Sequence, residues 1–104
     1  MSGRQVFLAP RAEADLDRIA VWIADQGAPI TALDYIGRIR RFLSTLGQFL
    51  ERGADYGRVR PGLRIVGFER RVVFAIVVRD TQVEVERVFY GGQDWRKALQ
   101  LPDD

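Results

Sequence analysis

The chain has 104 residues, with 16 lysines and arginines, 14 aspartates and glutamates, no cysteine and no histidine. This length predicts a single domain over residues 1–104 that folds without disulfide or metal staples. The missing cysteines exclude disulfide scaffolds, cysteine-ligated zinc and iron–sulfur clusters. The missing histidines exclude Ser-His and Cys-His nucleophile pairs and remove the commonest metal ligand. Much enzyme chemistry is thereby excluded, and no cofactor or metal site is expected.

The basic residues are almost all arginines, since Lys97 is the one lysine, and their distribution is uneven. Residues 1–36 carry three arginines against five carboxylates, whereas residues 52–79 carry seven arginines against two carboxylates. The second half therefore has a positive field suited to an acidic protein or a nucleic acid. A GC-rich genome would explain the preference for arginine over lysine without any functional role.

The first 46 residues predict a short strand and then two amphipathic helices. Gln5–Leu8 is typical of a strand, and Pro10 suits the first turn of a helix. Apolar residues recur at helical spacing from there to a stop at Gly27; they are Ala12, Leu16, Ile19, Ala20 and Ile23. The first turns carry acidic residues, which the helix macrodipole favours: Glu13, Asp15 and Asp17. A second apolar stripe predicts a helix from about Thr31 to Leu46, so that the two helices form an antiparallel hairpin.

The second half predicts a loop over residues 47–62 and then a group of strands. Three strand candidates follow the loop: Leu63–Gly67, Arg71–Arg79 and Gln82–Tyr90. The middle candidate is nearly all apolar, which is typical of a central strand covered on both faces. Strict alternation in the last candidate would place Arg87 on the face of Val83, so either a bulge resets the phase or Arg87 enters a groove on the sheet. Gln93–Leu99 predicts a terminal turn or short helix. The order β-α-α-β-β-β predicts an α+β fold, with a helical hairpin packed on a small, largely antiparallel sheet.

Three stretches carry a family resemblance, and together they cover nearly the whole chain. The first runs L-A-P-R-A-E-A-D-L, from Leu8 to Leu16. The second is the helix around Tyr35, with an exit at Leu46, Phe49 and Gly53. The third and most specific runs V-E-V-E-R-V-F-Y-G-G-Q-D-W, from Val83 to Trp95. In their order and spacing these stretches resemble the ParE branch of the RelE/ParE superfamily, the toxins of type II toxin–antitoxin pairs. Ala9 departs from the family pattern, which usually has a Ser or Thr there as the helix N-cap.

The resemblance implies one of two activities. ParE-type toxins inhibit DNA gyrase by binding it, and RelE-type toxins cleave messenger RNA on the ribosome. For a ribonuclease, arginines would hold the scissile phosphate and a tyrosine would manage the 2′-hydroxyl proton; the candidates are Arg64, Arg71, Arg87 and Tyr90. The central strand lacks the tyrosine that relatives often carry there, and a free tyrosine with a pKa near 10 needs strong activation. Gyrase poisoning is therefore the favoured hypothesis, with the endoribonuclease as the alternative and a related domain without toxicity as a third.

Two surfaces follow from the favoured hypothesis. The expected gyrase-binding surface is the arginine-rich one: Arg58, Arg60, Arg64, Arg70 and Arg71. Its alternative is an ordinary solvated loop and strand edge. The resemblance implies a ParD-like antitoxin whose acidic arm folds over the toxin, laying an apolar face in a groove beside the helices or adding a strand to an exposed sheet edge. The expected antitoxin-binding residues are Trp22, Tyr35, Phe42 and Arg38. Aromatic residues at helical spacing are more often core, and Trp22 is the exception because it lies beside the apolar stripe.

The remaining expectations concern partners and location. No signature of sequence-specific DNA binding is present, and operator binding would belong to the antitoxin in a toxin–antitoxin complex. No apolar run is long enough to span a bilayer, and Met1 to Ala9 is too short for a signal peptide. The sequence therefore predicts a cytoplasmic protein, and the resemblance implies a hetero-oligomer with an antitoxin.

Overall fold

The structure, a computed structural model, describes residues 3–48 and 52–102. Its elements are β1 (Gln5–Leu8), α1 (Pro10–Asp25), α2 (Pro29–Ser44), β2 (Ala54–Asp55), β3 (Leu63–Phe68), β4 (Val72–Val78), β5 (Gln82–Tyr90) and α3 (Trp95–Ala98). The strands form one sheet in the order β1-β5-β4-β3-β2. β1 and β5 are parallel, and the other neighbouring strands are antiparallel. The predicted α+β architecture, a helical hairpin on a largely antiparallel sheet, is confirmed.

Several boundaries differ from the prediction by one or two residues, and the loop 47–62 also contains a strand that was not predicted. Within the predicted loop 47–62, Ala54 and Asp55 form β2 against Ile65 and Arg64 of β3. Two residues are too few to show the alternation by which a strand is identified in a sequence. The second helix begins at Pro29, before the predicted start near Thr31, because proline fits the first turn of a helix. Phe49, part of the predicted helix exit, lies outside the described residues.

The helical hairpin packs on one face of the sheet. Leu16 of α1, Ile39 of α2 and Phe74 of β4 are fully buried in this helix-side core. Each large side chain buried in this way contributes about 1.5–3 kcal/mol of hydrophobic stabilisation. None of the helices among the described residues is long and apolar enough to cross a membrane.

The opposite face of the sheet is covered by the end of the chain. Trp95 and Leu101 pack there with Tyr56 against Ala75 and Val77 of β4. The central strand is thus buried on both faces, as its nearly all-apolar sequence predicts.

A β-bulge interrupts the pairing of β4 with β5. Ala75 pairs with Arg87 and Ile76 pairs with Val85, which leaves Glu86 as the extra residue. Val85 lies in the helix-side core before the bulge, and Val88 lies in it after the bulge. The bulge therefore resets the phase of β5, as bulges in sheets do. Of the two alternatives that the sequence leaves open at Arg87, the bulge is correct.

Candidate functional site

Three aromatic rings meet where the helical hairpin covers the end of β5. The rings of Trp22 and Tyr90 have centroids 5.4 Å apart, and those of Tyr90 and Tyr35 are 5.9 Å apart, both edge to face. Such pairs stabilise beyond their burial by about 0.5–1.5 kcal/mol. Trp22 is 53% exposed and Tyr35 is 7% exposed, so the row of rings runs from the surface into the core. Trp22 is thus the surface aromatic that the sequence predicts.

Arg38 of α2 extends this row of rings. Its Cζ atom lies 5.0 Å from the centroid of the Tyr35 ring, within cation–π distance. Its Nε and Nη2 atoms donate to the two carboxylate oxygens of Glu69, at 3.1 and 3.0 Å. Both side chains remain about half exposed. We call Trp22, Tyr35, Arg38 and Tyr90 the aromatic–arginine surface; it unites three of the four residues predicted to bind the antitoxin.

The Arg38–Glu69 pair changes the ionisation of both groups. The hydrogen bonds from Arg38 lower the pKa of the Glu69 carboxyl below its ordinary value, and the same bonds raise the pKa of Arg38. Both groups are therefore held in their charged forms, and the surface presents a guanidinium that already binds a carboxylate.

The hydroxyl of Tyr35 is buried and has no hydrogen-bond partner among the described residues. Burial is the largest cause that raises its pKa above 10.0, followed by Tyr90 and Glu69, while the charges of Arg38 and Arg71 act in the opposite direction. A phenol with a raised pKa is neutral near pH 7, so Tyr35 does not serve as a base there.

Glu69 is the first residue of the strained three-residue turn, 69–71, between β3 and β4. Its φ is +51°, and the φ of Arg70 is +62°. This left-handed region suits Gly, Asn and Asp in hairpin turns, and other residues adopt it at a cost of about 1–2 kcal/mol each. The turn thus holds a glutamate where the backbone alone would favour asparagine or glycine.

A groove of about 780 Å³ lies between α1 and the outer side of β5. Trp22 and Tyr90 line it together with Gly91 and Gly92. Gly92 leaves open space, since a Cβ atom added there would meet nothing within 4 Å. The groove can therefore accept an apolar side chain beside the exposed Trp22 ring.

Asp15 closes the inner end of this groove. Its carboxylate accepts hydrogen bonds from Arg87 Nε at 2.8 Å, from Arg87 Nη2 at 3.1 Å and from the Val88 amide at 2.8 Å, and it also contacts Arg18. Asp15 is 3% exposed. The interpretation of Asp15 as a first-turn charge is therefore wrong, because its side chain points into the protein. Its position between Ala12 and Ile19, on the apolar stripe of α1, was the signal for burial.

β5 continues past the end of β1, and in this part of the strand side chains bind the outward-facing backbone amides. The Val88 amide donates to Asp15, and the Tyr90 amide donates to Gln93 Oε1 at 2.8 Å. A strand from a partner would have to displace both side chains to pair with these amides. This edge of the sheet is therefore a poor acceptor for the added strand that the sequence analysis considers.

The four ribonuclease candidates do not converge. Arg87 is bound by Asp15, and Tyr90 packs between Trp22 and Tyr35. Arg64 donates to the carbonyls of Arg52 and Gly53 at 2.8 and 3.2 Å, and its side chain is only 17% exposed. Arg71 precedes β4 at the end of the sheet where β5 finishes. Arg71 and Tyr90 are thus neighbours, but Arg87 is held by Asp15 and Arg64 lies beside β2, so the four side chains form no shared phosphate site.

Four of the five predicted gyrase-binding arginines fall into two groups, and the fifth, Arg64, lies on β3 between them. Arg58 and Arg60 precede β3, whereas Arg70 and Arg71 follow it, so the length of a six-residue strand, roughly 20 Å, separates them. Arg60 is paired with Glu86 on β5. The role of these arginines in target binding stays a prediction, now for two patches instead of one.

Phe42 lies apart from the aromatic–arginine surface. The centroid of its ring lies 4.7 Å from that of Phe68 and 5.7 Å from that of Phe74, and the guanidinium of Arg52 lies over it. Seven residues, or about two helical turns, separate it from Tyr35 on α2. Phe42 is therefore a partly buried residue of the helix-side core, and its antitoxin contact stays a prediction.

Comparisons with known proteins agree with this architecture. The family model described as "ParE toxin of type II toxin-antitoxin system, parDE" matches residues 6–95. A chain from the chromosomal ParDE toxin–antitoxin system of P. aeruginosa superposes with a TM-score of 0.72 at 24% identity, covering 85% of this chain and 96% of that one. The solution structure of a conserved hypothetical protein of Helicobacter pylori gives a TM-score of 0.51 at 16% identity, covering 84% of this chain and 93% of that one. No curated protein sequence matches.

Proposed function

Because the chain belongs to the ParE toxins of type II toxin–antitoxin systems, we propose that it acts by binding and poisoning DNA gyrase and that a ParD-like antitoxin neutralises it. The proposal places the chain in the cytoplasm, where gyrase and its DNA are found. The complex with the antitoxin is then a hetero-oligomer.

The binding of a target, as opposed to RNA cleavage, is supported by the state of Arg87. A phosphate-binding arginine must offer its guanidinium to the substrate. In this chain the guanidinium is held by the buried Asp15 carboxylate through Nε and Nη2, and Asp15 also holds the Val88 amide. Releasing Arg87 would remove two of the donors that hold the buried Asp15 carboxylate and leave it only the exposed Arg18 as a cation, which is costly. The pair therefore favours a structural role for Arg87, one of the four ribonuclease candidates.

Contact with the antitoxin is supported by the aromatic–arginine surface. Its outermost residue, Trp22, is half exposed and lines the groove beside α1. Tryptophan, tyrosine and arginine are the residues that most often dominate the free energy of binding at protein interfaces. A partner that places an apolar side chain in the groove and a carboxylate at Arg38 would use the whole surface.

Contact with gyrase is supported by arginines that offer their guanidinium groups to a partner. Among the described residues, no side-chain hydrogen bond or ion pair is made by Arg58, Arg70 or Arg71. Arg70 and Arg71 are adjacent at the β3–β4 turn, and both are exposed. We propose this turn as the first part of the basic surface to test.

The function is tested by expressing the chain alone and measuring three outputs together: the DNA-damage response, gyrase supercoiling and the integrity of transcripts. The proposal expects a DNA-damage response and loss of supercoiling with intact transcripts. Cleaved transcripts with normal supercoiling would instead establish the ribonuclease alternative.

The antitoxin surface is tested by Trp22→Ala with Phe7→Ala as its matched control, since Phe7 is an aromatic residue of β1 that is 47% exposed. With a ParD-like antitoxin co-expressed, Trp22→Ala should weaken the complex about ten-fold or more, while Phe7→Ala should not. Equal effects of the two variants on the dissociation constant would refute the docking surface.

A further inference from the structure

The aromatic–arginine surface contains a cation that is already occupied by the chain's own carboxylate. We propose that Arg38 is a receptor for a carboxylate of the docking partner, and that Glu69 is a built-in occupant which the partner's Asp or Glu displaces. This inference rests on the docking surface proposed above and assigns the chemistry of one of its contacts.

The geometry of the pair is that of a carboxylate receptor. Arg38 donates through Nε and Nη2, one to each oxygen of Glu69, and this side-by-side arrangement is the one in which guanidinium binds carboxylate best. Tyr35 lies beneath the guanidinium and fixes its position. Any incoming carboxylate can therefore take the same two hydrogen bonds without rearrangement of Arg38.

The position of the pair makes exchange possible. The side chains of Arg38 and Glu69 are 45% and 41% exposed, so water and a partner reach both. The ring centroids of Trp22 and Tyr90 are 5.4 Å apart, and those of Tyr90 and Tyr35 are 5.9 Å apart. Arg38 Cζ lies 5.0 Å from the centroid of the Tyr35 ring. About three turns of a partner helix, each ~5.4 Å long, would cover that distance. One helical segment can thus place an apolar side chain at Trp22 and a carboxylate at Arg38.

The backbone of the β3–β4 turn indicates that the Glu69 side chain has a role of its own. Glu69 has a φ of +51°, where asparagine or glycine would form the turn with less strain. Strain kept at one position points to a function of the side chain that the strain presents. Here the strained residue presents its carboxylate to Arg38.

The displaced Glu69 carboxylate would keep cationic neighbours. Arg70 and Arg71 follow it directly, and neither makes an ion pair among the described residues. The partner's carboxylate can therefore replace that of Glu69 at Arg38. The negative charge of Glu69 is then still compensated by the neighbouring arginines.

The chain provides a matched control for this pair. Arg40 of α2 donates to Glu13 of α1 at 2.9 and 3.5 Å, and the two side chains are about as exposed as Arg38 and Glu69. Neither residue belongs to the aromatic–arginine surface, and Glu13 lies in regular helix. A substitution of Glu13 changes net charge as a substitution of Glu69 does, without freeing Arg38.

The test uses two fluorescein-labelled amphipathic peptides, with leucine at every third or fourth position and either glutamate or glutamine elsewhere. Fluorescence anisotropy measures their binding to the wild type and to Glu69→Asn, Glu13→Asn, Arg38→Gln and Trp22→Ala. Asparagine tolerates the left-handed region, so Glu69→Asn keeps the turn.

We expect Glu69→Asn to bind the glutamate peptide about two- to five-fold more tightly, because an exposed ion pair competes only weakly. The glutamine peptide should show no such gain, and Glu13→Asn should bind the glutamate peptide as the wild type does.

Two results would overturn the inference alone. One is an equal gain in Glu69→Asn and Glu13→Asn, which would make the effect one of net charge. The other is no gain in Glu69→Asn while Trp22→Ala and Arg38→Gln both lose binding, which would keep the docking surface and reject Glu69 as a competitor. Binding of the glutamate peptide that neither Trp22→Ala nor Arg38→Gln weakens would reject the docking surface, and the inference with it.

Discussion

Two arginine–carboxylate pairs join the helical hairpin to the strands and turns of the sheet. They have the same hydrogen-bond pattern, but they differ in burial and in the backbone that carries the carboxylate. Asp15–Arg87 lies under α1, where the carboxylate is 3% exposed and also binds the Val88 amide. Arg38–Glu69 joins the middle of α2 to the β3–β4 turn, where both side chains are about half exposed and the carboxylate is carried by a strained backbone.

The difference separates a structural contact from an exchangeable one. A buried carboxylate with several donors cannot leave without exposing an unpaired charge. An exposed pair can exchange its partner, because water replaces each lost hydrogen bond at little cost. An arginine–carboxylate pair therefore stabilises the fold within β5, and a second pair, at the β3–β4 turn beside the last residue of β5, is the one we propose as a binding contact.

Removing the buried carboxylate should have the largest effect on the protein. Asp15→Asn leaves the charge of Arg87 unpaired beside the helix-side core and should lower the free energy of unfolding by about 3 kcal/mol. Urea denaturation measures the loss. Asp17→Asn, an exposed change on the same helix, should stay within about 0.5 kcal/mol of the wild type. Equal stability of Asp15→Asn and Asp17→Asn would mean that the buried pair does not hold the fold together.

A second change removes strain from the turn that carries Glu69 while leaving the carboxylate in place. Arg70 has a φ of +62°, which glycine adopts freely, so Arg70→Gly should raise the free energy of unfolding by about 1 kcal/mol. Gly91→Ala is the opposite control. Its φ is +69° and a Cβ atom there meets nothing within 4 Å, so alanine adds strain alone and should cost about 1 kcal/mol. If the denaturant midpoints of both variants moved in the same direction, the left-handed backbone at Arg70 would not be strained.

The third change concerns Tyr35, which lies between the two ends of the aromatic–arginine surface. Tyr35→Phe removes a buried hydroxyl that has no partner among the described residues and should stabilise the protein by up to about 1 kcal/mol. Because burial raises the pKa of Tyr35 above 10.0, the folded state favours the neutral phenol. The wild type should therefore lose stability as the pH rises above about 10, and Tyr35→Phe should lose less. Melting temperatures at neutral and alkaline pH measure both effects; a Tyr35→Phe protein that melts lower at neutral pH would show that the hydroxyl has a partner.

The smallest effect is the acid titration of the exposed pair. Arg38 lowers the pKa of Glu69 below its ordinary 4.5, so the stabilisation from the pair is present above that pH and disappears as the pH falls through the lower folded value. Carbon-13 NMR of the Glu69 carboxyl should show a midpoint below 4.5 that returns toward 4.5 in Arg38→Gln. A midpoint at or above 4.5 in the wild type would show that the pair does not persist in solution.

The sequence predicts the elements because each has a period of its own. The stripe from Ala12 to Ile23 identifies α1, and the apolar run of β4 identifies a strand covered on both faces. Periodicity alone does not predict β2, since two residues have no period. It places Asp15 on the apolar stripe of α1 but does not reveal its partner Arg87, which lies 72 residues away.

The candidate site was predictable only in part, for a related reason. The exposure of Trp22 follows from its place beside the apolar stripe of α1. Its contact with Tyr90 depends on how the hairpin crosses the sheet, and one sequence does not reveal that crossing. The arginines of residues 58–71 are close in sequence, but β3 carries the chain from one end of the sheet to the other between them.

The side chains at the outer edge of β5 also bear on what happens to a toxin that has lost its partner. An open strand edge is a template on which identical chains add to one another and aggregate. Asp15 and Gln93 occupy the amides of Val88 and Tyr90, so this stretch of the edge offers no donors for a second copy. The carboxylate that anchors Arg87 thereby also protects the free toxin from self-assembly along this edge.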